Sequence, residues 1–413
     1  MERPASPAGD PVSRALEAWR TGRHADALTV LDDAVRAGDA AALQMLLQLS
    51  GQPDAPDGIE VHVFDSVVAA PPSPARNRHL AFLMAAGRGC TEDPAGAFAL
   101  RIADVAAGDA GAVAELGLLA LMAGYEDAAE GLLEQASAAG SGHAIAALLR
   151  LGAKRGQVSS LARQRAPALA RAGHPLAAAL MQAVKTLPDR EAPALERPAS
   201  AEIEAVGKVI LDGVIPEGEM LSAEPRIAGF DACVPDAICD YLAAGAVPFL
   251  QPAQIFDPST GQSRPDPYRT SLTASLPDGA MDLVLWALKR LMAGLSDADF
   301  EQGEALSVLV YRPGEEYLPH FDFLIEDGGM ASAELARRGQ RIATSLVRLN
   351  EEYQGGATRF PRLDIAWTGG RGDALSFHNA DAGGRGDKRT LHAGEPVSAG
   401  MKVLASLWLR ERP

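Results

Sequence analysis

The first 185 residues repeat one short signature at a spacing typical of paired helices. An Ala-Gly pair, a polar residue and further alanine recur around Gly38, Gly108, Gly140 and Gly173, at intervals of 70, 32 and 33 residues. The longest interval spans two copies if one has degenerated. Apolar residues recur at helical spacing between these points, and glycine commonly follows the last residue of a helix. Repeats of about 34 residues predict stacked helical hairpins, that is, an α-solenoid.

Residues 87–121, GRGCTEDPAGAFALRIADVAAGDAGAVAELGLLAL, resemble the tetratricopeptide superfamily, in particular its short-hairpin variant. The aromatic residues of the consensus are sparse, and residues 51–80 interrupt the pattern. The resemblance implies either a concave surface that binds a polypeptide or a scaffold for packing and dimerisation. Both interpretations stay open at this point.

The periodicity changes after a segment rich in Pro, Glu and Arg. ALSVLVY, IATSLVRL and GDALSFH are typical of strands, and residues 280–295, AMDLVLWALKRLMAGL, predict an amphipathic helix. Short turns between the strands favour an antiparallel sandwich or barrel with supporting helices. We therefore predict a multidomain α + β chain with a helical-repeat domain at 1–185, a linker at 186–222 and a strand-rich domain at 223–413.

Charge and cysteine content disfavour several classes of protein. A formal net charge of −16 argues against nonspecific binding to nucleic acid or to an anionic membrane. Cys90, Cys233 and Cys239 form no C-x-x-C pair, so neither a zinc site nor a disulfide framework is predicted. The amino terminus lacks the apolar segment of a secretory signal, and no apolar run is long enough to span a membrane. We expect a cytoplasmic protein.

Two metal-capable side chains lie close together in YRPGEEYLPHFDF, residues 311–323. On a strand, His320 and Asp322 would project from the same face. A third ligand would complete a set of two histidines and one carboxylate, which leaves open positions on octahedral Fe(II). The remaining histidines of the second half are His378 and His392, so the residues alone leave two candidates.

The last strand-like segment places a lysine among apolar residues. In MKVLASLWLRE, Lys402 shares one face with Leu404 and Trp408. An unpaired buried ammonium group is costly, so Lys402 needs an anionic partner. A dicarboxylate that also binds the metal would supply that anion.

These motifs together resemble the prolyl 4-hydroxylase branch of the Fe(II)/2-oxoglutarate dioxygenases. The resemblance rests on H-x-D at 320–322, GGxTxFP at 355–361 and H-x-G-x-P-V followed by G-x-K at 392–402. It extends from about residue 225 to the end of the chain. The resemblance implies a double-stranded β-helix (jelly roll) at 223–413 and an enzyme that uses Fe(II), 2-oxoglutarate and O₂, with ascorbate as a further candidate cofactor.

The resemblance also implies roles for individual residues. It makes His320, Asp322 and His392 the metal ligands. It assigns 2-oxoglutarate binding to Lys402, Tyr311 and Thr358. It places five residues beside the substrate: Arg341, Trp408, Arg269, Ser271 and Tyr317. Arg348 departs from the family, because many relatives have tyrosine there, and its side chain either assists in anion binding or points away.

The activity implied is hydroxylation of a prolyl residue in a peptide or protein, coupled to decarboxylation of 2-oxoglutarate to succinate and CO₂. The helical repeats would recruit that polypeptide. One alternative keeps the iron site but hydroxylates another residue or a small metabolite. Another is a non-catalytic helical-repeat adaptor, and a third is a Zn²⁺ hydrolase, which would leave Lys402 without a role.

Overall fold

The computed structural model describes residues 10–52, 55–191, 200–257, 262–266, 268–326, 330–381 and 383–413. The chain divides into two compact units. One unit comprises Met1–Ala112 and Pro277–Trp286, and the other comprises Val113–Leu276 and Ala287–Pro413. The second unit therefore contains a large share of the predicted helical repeats together with the strands.

The first unit is helical up to residue 106. Its helices are α1 (Pro11–Arg20), α2 (His24–Arg36), α3 (Ala40–Leu49), α4 (Ile59–Ala69), α5 (Pro74–Ala85) and α6 (Pro94–Ala106). Asp10, Asp39, Ser73 and Asp93 each accept a hydrogen bond from a backbone amide in the first turn of the helix that follows. These caps satisfy amides that have no acceptor within the helix. Consecutive helices pack on one another, for example α1 on α2 and α5 on α6.

Further helices lead into the second unit. They are α7 (Ala110–Met122), α8 (Glu126–Ala138), α9 (Gly142–Arg155), α10 (Ser160–Arg171) and α11 (Ala177–Ala183). Ser141 caps the start of α9, and Gly156 ends it in the left-handed conformation. Helix α9 packs against α8 and α10. The helical character predicted for this half is confirmed, whereas its assembly into a solenoid stays a prediction.

The segment predicted as a linker, 186–222, contains regular structure. Residues 192–199 of this segment lie outside the described residues. The remainder includes β2 (Asp189–Arg190), which pairs in parallel with β1 (Val158–Ser159), then α12 (Ser200–Asp212) and β3 (Glu219–Ser222). The domain boundaries at 185 and 223 stay a prediction.

The strands of the second half form antiparallel sheets. They are β4 (Ile227–Phe230), β5 (Gln251–Pro252), β6 (Gln254–Asp257), β7 (Gln262–Pro265), β8 (Leu272–Ser275), β9 (Ser307–Tyr311), β10 (Tyr317–His320), β11 (Arg341–Arg348), β12 (Tyr353–Gly355), β13 (Thr358–Phe360), β14 (Ile365–Trp367), β15 (Ala374–His378), β16 (His392–Gly394), β17 (Val397–Gly400) and β18 (Lys402–Arg410). The main sheet has the order β3-β4-β15-β11-β18-β9-β8-β5, and a smaller sheet has the order β10-β16-β13-β14. Separate two-stranded pairs are β12 with β17 and β6 with β7. This arrangement confirms the predicted jelly-roll fold class.

Apolar side chains from both sheets form one core. Leu309, Leu346 and Leu375 come from central strands of the main sheet, and Phe360 comes from the smaller sheet. The rings of Phe360 and Phe377 meet edge to face with centroids 5.1 Å apart. Each of these side chains contributes about 1.5–3 kcal/mol by burial. The core therefore fixes the position of the smaller sheet, which carries His320 and His392, relative to the main sheet, which carries Lys402.

Helices α13 (Asp236–Ala246), α14 (Leu283–Gly294) and α15 (Met330–Arg338) accompany the strands. The Ser345 hydroxyl on β11 donates to the Met292 carbonyl of α14 at 2.6 Å. The Ser296 hydroxyl lies 2.8 Å from that of Ser345 and 2.7 Å from that of Ser376. This buried hydroxyl cluster fastens the end of α14 to the main sheet. No helix within the described ranges has both the length and the apolar character needed to cross a bilayer.

Substitution by alanine is expected to destabilise the protein by different amounts at two loop glycines of the first unit. Both Gly89 and Gly108 have positive φ, +73° and +87°. A Cβ at Gly89 would overlap the Glu60 carbonyl group, whereas a Cβ at Gly108 meets no atom within 4 Å. We expect Gly108→Ala to lower the free energy of unfolding by about 1–2 kcal/mol, the cost of the left-handed conformation. Gly89→Ala adds a steric cost of about 1–3 kcal/mol. Urea unfolding measures both, and equal losses would contradict the proposed overlap.

Candidate metal centre

Three metal-capable side chains converge where β10 and β16 pair. His320, the last residue of β10, lies directly opposite His392, the first residue of β16. Each of His320, Asp322 and His392 offers one ligand atom, and these atoms lie within 4.8 Å of one another. The Nε2 atom of His320 is 3.5 Å from Oδ1 of Asp322, and Nε2 of His392 is 3.6 Å from Oδ2. Such a set of two nitrogens and one oxygen suits a divalent transition metal.

The route by which Asp322 reaches this cluster differs from the one predicted. The sequence pattern predicts that His320 and Asp322 share one face of a continuous strand. Strand β10 ends at His320, and Asp322 lies in the bend that follows. The carboxylate is therefore brought to the cluster by the turn of the chain, and it is buried there at 6% exposure.

Backbone carbonyl groups orient both imidazoles. Nδ1 of His320 lies 2.8 Å from the Leu318 carbonyl oxygen, and Nδ1 of His392 lies 3.0 Å from that of Thr390. A carbonyl oxygen only accepts, so each Nδ1 carries a proton and Nε2 is the nitrogen that each ring can offer to a metal. Burial lowers the pKa of His392 to about 4, even though Asp322 opposes the shift. His392 is thus neutral and able to bind a metal near neutral pH.

A chain of hydrogen bonds holds the carboxylate. The Thr344 hydroxyl on β11 donates to Oδ2 of Asp322 at 2.7 Å, and Nδ2 of Asn379 donates to the Thr344 oxygen at 2.8 Å. Burial acts to raise the pKa of Asp322, but the two histidines and the Thr344 hydrogen bond outweigh it, so the pKa lies below its usual range. The carboxylate is therefore ionised. Sequence reasoning missed Thr344 and Asn379, because nothing in the local pattern around either residue indicates a contact with Asp322.

Lys402 is a buried cation in the same pocket. It is 3% exposed, lies opposite Tyr311 in the β9–β18 pair and donates to the Gly356 carbonyl oxygen at 2.7 Å. Burial lowers the pKa of Lys402 to about 8, with a further contribution from Arg348. No carboxylate among the described residues lies within salt-bridge distance of its ammonium group. The predicted need for an external anion therefore persists in the folded chain.

Most of the residues predicted to form the site line one pocket. Its lining includes Arg269, Tyr311, Tyr317, His320, Asp322, Thr358, His392, Lys402 and Trp408. Burial raises the pKa of Tyr311 to about 12 and also raises the pKa of Tyr317, so both phenols stay protonated at neutral pH. The Tyr317 ring stacks on His320 with centroids 3.4 Å apart. A larger cavity of the same unit, about 240 Å³, lies between α12 and α14 and contains none of these residues.

Two residues predicted beside the substrate do not line this pocket. The guanidinium of Arg341 donates to Glu304 at 2.7 and 2.9 Å and lies over the Trp408 ring at 4.0 Å. Ser271 is buried at 1% exposure. Arg269 does line the pocket, with its guanidinium 5.2 Å from the centre of the Tyr317 ring. The substrate contacts of all these residues stay predictions.

The two residues whose roles the sequence left open have definite positions. Arg348 donates from Nε to the Asn350 carbonyl at 2.9 Å, from Nη1 to the carbonyls of Thr368 and Gly369, and packs over Tyr353 at 4.4 Å. Its side chain is thus occupied by the protein and is absent from the pocket lining. His378 lies at the end of β15 and is not part of the metal-capable group found in the described ranges.

Metal binding is expected to follow these contacts. His392→Ala and Asp322→Ala should lose high-affinity binding, because each removes a ligand atom. Thr344→Val should weaken binding by about 10- to 100-fold, as is typical when a hydrogen bond to a ligand is lost. Anaerobic equilibrium dialysis with Fe(II) measures this, and His378→Gln is the matched control. Normal binding by His392→Ala, or loss of binding by His378→Gln, would refute the assignment.

Comparisons with known proteins agree with this geometry. Residues 306–410 match the 2OG-Fe(II) oxygenase superfamily. The chain is 36% identical over 189 residues to prolyl 4-hydroxylase subunit alpha-1 of Rattus norvegicus, which covers 46% of this chain but only 35% of that subunit. It is 30% identical over 208 residues to prolyl 4-hydroxylase 1 of Arabidopsis thaliana, covering 47% of this chain and 72% of that protein.

Among solved structures, the viral collagen prolyl hydroxylase of Paramecium Bursaria Chlorella virus-1 is similar to this chain, with 26% identity and a TM-score of 0.35. The match covers 45% of this chain and 95% of that one. The segment that matches the superfamily contains the three candidate ligands and Lys402. By its motifs, its fold and its relatives, the chain belongs to the prolyl 4-hydroxylase family of 2OG-Fe(II) oxygenases.

Proposed function

We propose that this chain hydroxylates prolyl residues of a peptide or protein, using Fe(II), 2-oxoglutarate and O₂ and releasing succinate and CO₂. The observation that carries the proposal is the pairing of two features in one pocket. One is the converging group His320, Asp322 and His392. The other is the buried ammonium of Lys402, which has no carboxylate partner among the described residues. A metal-binding hydrolase would need the first feature but not the second.

The ligand residues fit Fe(II). A backbone carbonyl holds Nδ1 of each imidazole, which leaves Nε2 to face the metal position, and the ionised Asp322 supplies one negative charge to offset a divalent cation. Two histidines and one carboxylate on one side of the metal leave the other side open for further ligands. When bound, the iron together with 2-oxoglutarate and O₂ supplies the oxidation of a C–H bond, for which side chains have no equivalent.

The other end of the pocket fits a dicarboxylate. Lys402 offers its ammonium to a carboxylate, and the Thr358 and Tyr311 side chains lie in the same lining. A charge-assisted hydrogen bond in a buried pocket is about twice as strong as a neutral one. Because the Tyr311 hydroxyl stays protonated, it can donate a hydrogen bond to the same anion. These residues would hold 2-oxoglutarate with one end towards the metal ligands.

Aromatic surfaces support a peptide substrate. Tyr317, Trp408 and Arg269 line the pocket beside the metal ligands. Aromatic faces pack well against a rigid apolar ring such as proline, and they exclude water from the reacting centre. The Arabidopsis and rat relatives are named as prolyl 4-hydroxylases, which supports proline over other residues.

Other parts of the proposal rest on sequence resemblance. We infer that the helical repeats recruit the polypeptide and that the protein works in the cytoplasm, with ascorbate as a further cofactor. The fusion of helical repeats to the oxygenase in one chain supports recruitment. Deleting the repeats would not test it cleanly, because α8–α11 belong to the same compact unit as the oxygenase strands.

The activity is tested by succinate formation. Purified protein with Fe(II), 2-oxoglutarate and O₂ should form succinate faster when a pool of proline-containing peptides is added, and mass spectrometry should detect the mass of one added oxygen atom on proline. Stimulation by free amino acids alone would favour a small metabolite as substrate. Failure to form succinate under every condition would favour the non-catalytic adaptor.

Binding of 2-oxoglutarate is expected to depend on pH through Lys402. Its pKa of about 8 in the free protein must rise when a carboxylate binds, so binding above that pH takes up a proton. The dissociation constant should therefore increase by about tenfold for each pH unit above about 8, and should be nearly constant below it. Anaerobic titrations of the Fe(II) protein between about pH 7 and about pH 9.5 measure this.

Lys402→Arg is the matched control, because arginine stays protonated throughout this range. Its dissociation constant is expected to be flat with pH, whatever its absolute value. The same rise in Lys402→Arg as in the wild type would show that another group titrates and would contradict the role of Lys402.

A further inference from the structure

A helix of the repeat region contacts the oxygenase half through a buried ion pair. Helix α9 packs against α13 within the second compact unit. Arg150 of α9 donates from Nε to Oδ2 of Asp240 at 2.6 Å and from Nη2 to Oδ1 at 3.2 Å. Both side chains are largely buried, at 14% and 5% exposure. In the same interface, the rings of His143 and Tyr241 meet at 4.8 Å.

The same carboxylate binds a second arginine. Arg371, in the loop between β14 and β15, donates from Nη1 to Oδ1 of Asp240 at 2.7 Å. Its other nitrogen, Nη2, donates to the Glu352 carboxylate at 2.8 and 3.0 Å. The Glu352 side chain is 63% exposed, so that outer pair is screened by water and weak. Asp240 is thus a buried junction between α9 and the loop that follows β14.

The loop that carries Arg371 is tied to the end of β11. The amide of Arg348 donates to the Asp373 carbonyl at 2.9 Å, and the amide of Gly372 donates to the Arg348 carbonyl at 2.8 Å. The Arg348 guanidinium also donates to the carbonyls of Thr368 and Gly369. A displacement of Arg371 would therefore be transmitted to Arg348 and to the residues after it.

Those residues, 350–356, surround Lys402. The Asn350 side chain donates to the Met401 carbonyl at 2.7 Å and accepts from the Val403 amide at 2.8 Å, so it grips the backbone on both sides of the lysine. The Gly356 carbonyl accepts from the ammonium group itself. Gly400 also packs against Glu352 and Tyr353 so closely that a Cβ there would overlap the backbone. We call residues 350–356 the lysine cradle.

We propose that Arg150 is a positioning residue, through which helix α9 of the repeat region holds the lysine cradle and sets the affinity of the site for the dicarboxylate cosubstrate. The proposal rests on the proposed function only in naming 2-oxoglutarate as that cosubstrate. The physical reason is the burial of Asp240. A buried carboxylate needs its cationic partners, and losing one leaves the other, Arg371, to compensate its charge. The loop of Arg371, and with it the cradle, would then shift or loosen.

Arg150→Ala tests the proposal against a matched control on the same helix. Among the described residues, Arg155 of α9 forms salt bridges with Glu126 and Glu130 of α8, so Arg155→Ala removes an arginine from α9 without touching Asp240. Arg150→Ala should weaken binding of the cosubstrate by about 2- to 30-fold, the range typical of coupling through a contiguous network. The dissociation constant and the Michaelis constant for the cosubstrate should both increase by this factor. The kcat and the Michaelis constant for peptide should stay near wild type, and Arg155→Ala should change none of these constants.

A measurement on the free protein separates positioning from general destabilisation. Hydrogen–deuterium exchange of the lysine cradle should be faster in Arg150→Ala than in wild type and unchanged in Arg155→Ala. Arg150→Lys keeps a charge beside Asp240 and should restore part of the protection and part of the affinity. An unchanged cradle and an unchanged dissociation constant in Arg150→Ala would overturn the proposal.

The hydrogen–deuterium exchange experiment still tests the proposal if the protein forms no succinate. Faster exchange of the cradle with no 2-oxoglutarate binding by the wild type would sink the proposed function but support the mechanical link. Uniformly faster exchange over α9, α13 and the whole main sheet would show that Arg150 is only a stabilising residue, and would overturn its positioning role.

Discussion

A single buried ammonium group explains much of how this site is built. Lys402 lies in the main sheet, at 3% exposure, with a carbonyl oxygen as its hydrogen-bond partner instead of a carboxylate. Burying a cation in this way is costly, and the depressed pKa of Lys402 expresses that cost. The rest of the fold must compensate it. An anionic ligand would offset this cost on binding, so a destabilising feature of the free protein becomes a source of affinity and selectivity for a dicarboxylate.

At the candidate metal centre the buried charge is negative. Asp322 is buried as an anion, and the structure surrounds it with two imidazoles and the Thr344 hydroxyl. The pairing of β10 with β16 places the two histidines opposite each other, so the ligand set is a consequence of strand register. A slip of one residue in that pairing would move His392 away from Asp322. One pocket thus contains an ionised carboxylate with partners on three strands and a buried ammonium group that lacks an anionic partner among the described residues.

Sequence patterns predicted the secondary-structure elements better than the contacts between them. Period-two segments became β9, β11 and β15, and the amphipathic segment at 280–295 became α14. His320, Asp322 and Lys402 line one pocket, and their roles there stay predictions. The choice of His392 over His378 came from family motifs, because spacing along the chain does not reveal which strands become neighbours. The contacts of Thr344, Asn379 and Glu304 depend on pairing across distant segments, and no local pattern encodes them.

Arg348 and the repeat region also make contacts that no local sequence pattern predicts. In the sequence, Arg348 stood out as a cation near an anion pocket, yet the folded chain uses it to bind carbonyl groups of the loop at 368–369. The change in periodicity near residue 185 likewise marks a change of secondary structure. Helices α8–α11 belong to the compact unit that contains the oxygenase strands, so contacts also form across this change. Asp240 is one such contact: its buried carboxylate binds Arg150 of α9 and Arg371 of the oxygenase half, and a buried charge is costly without its partners.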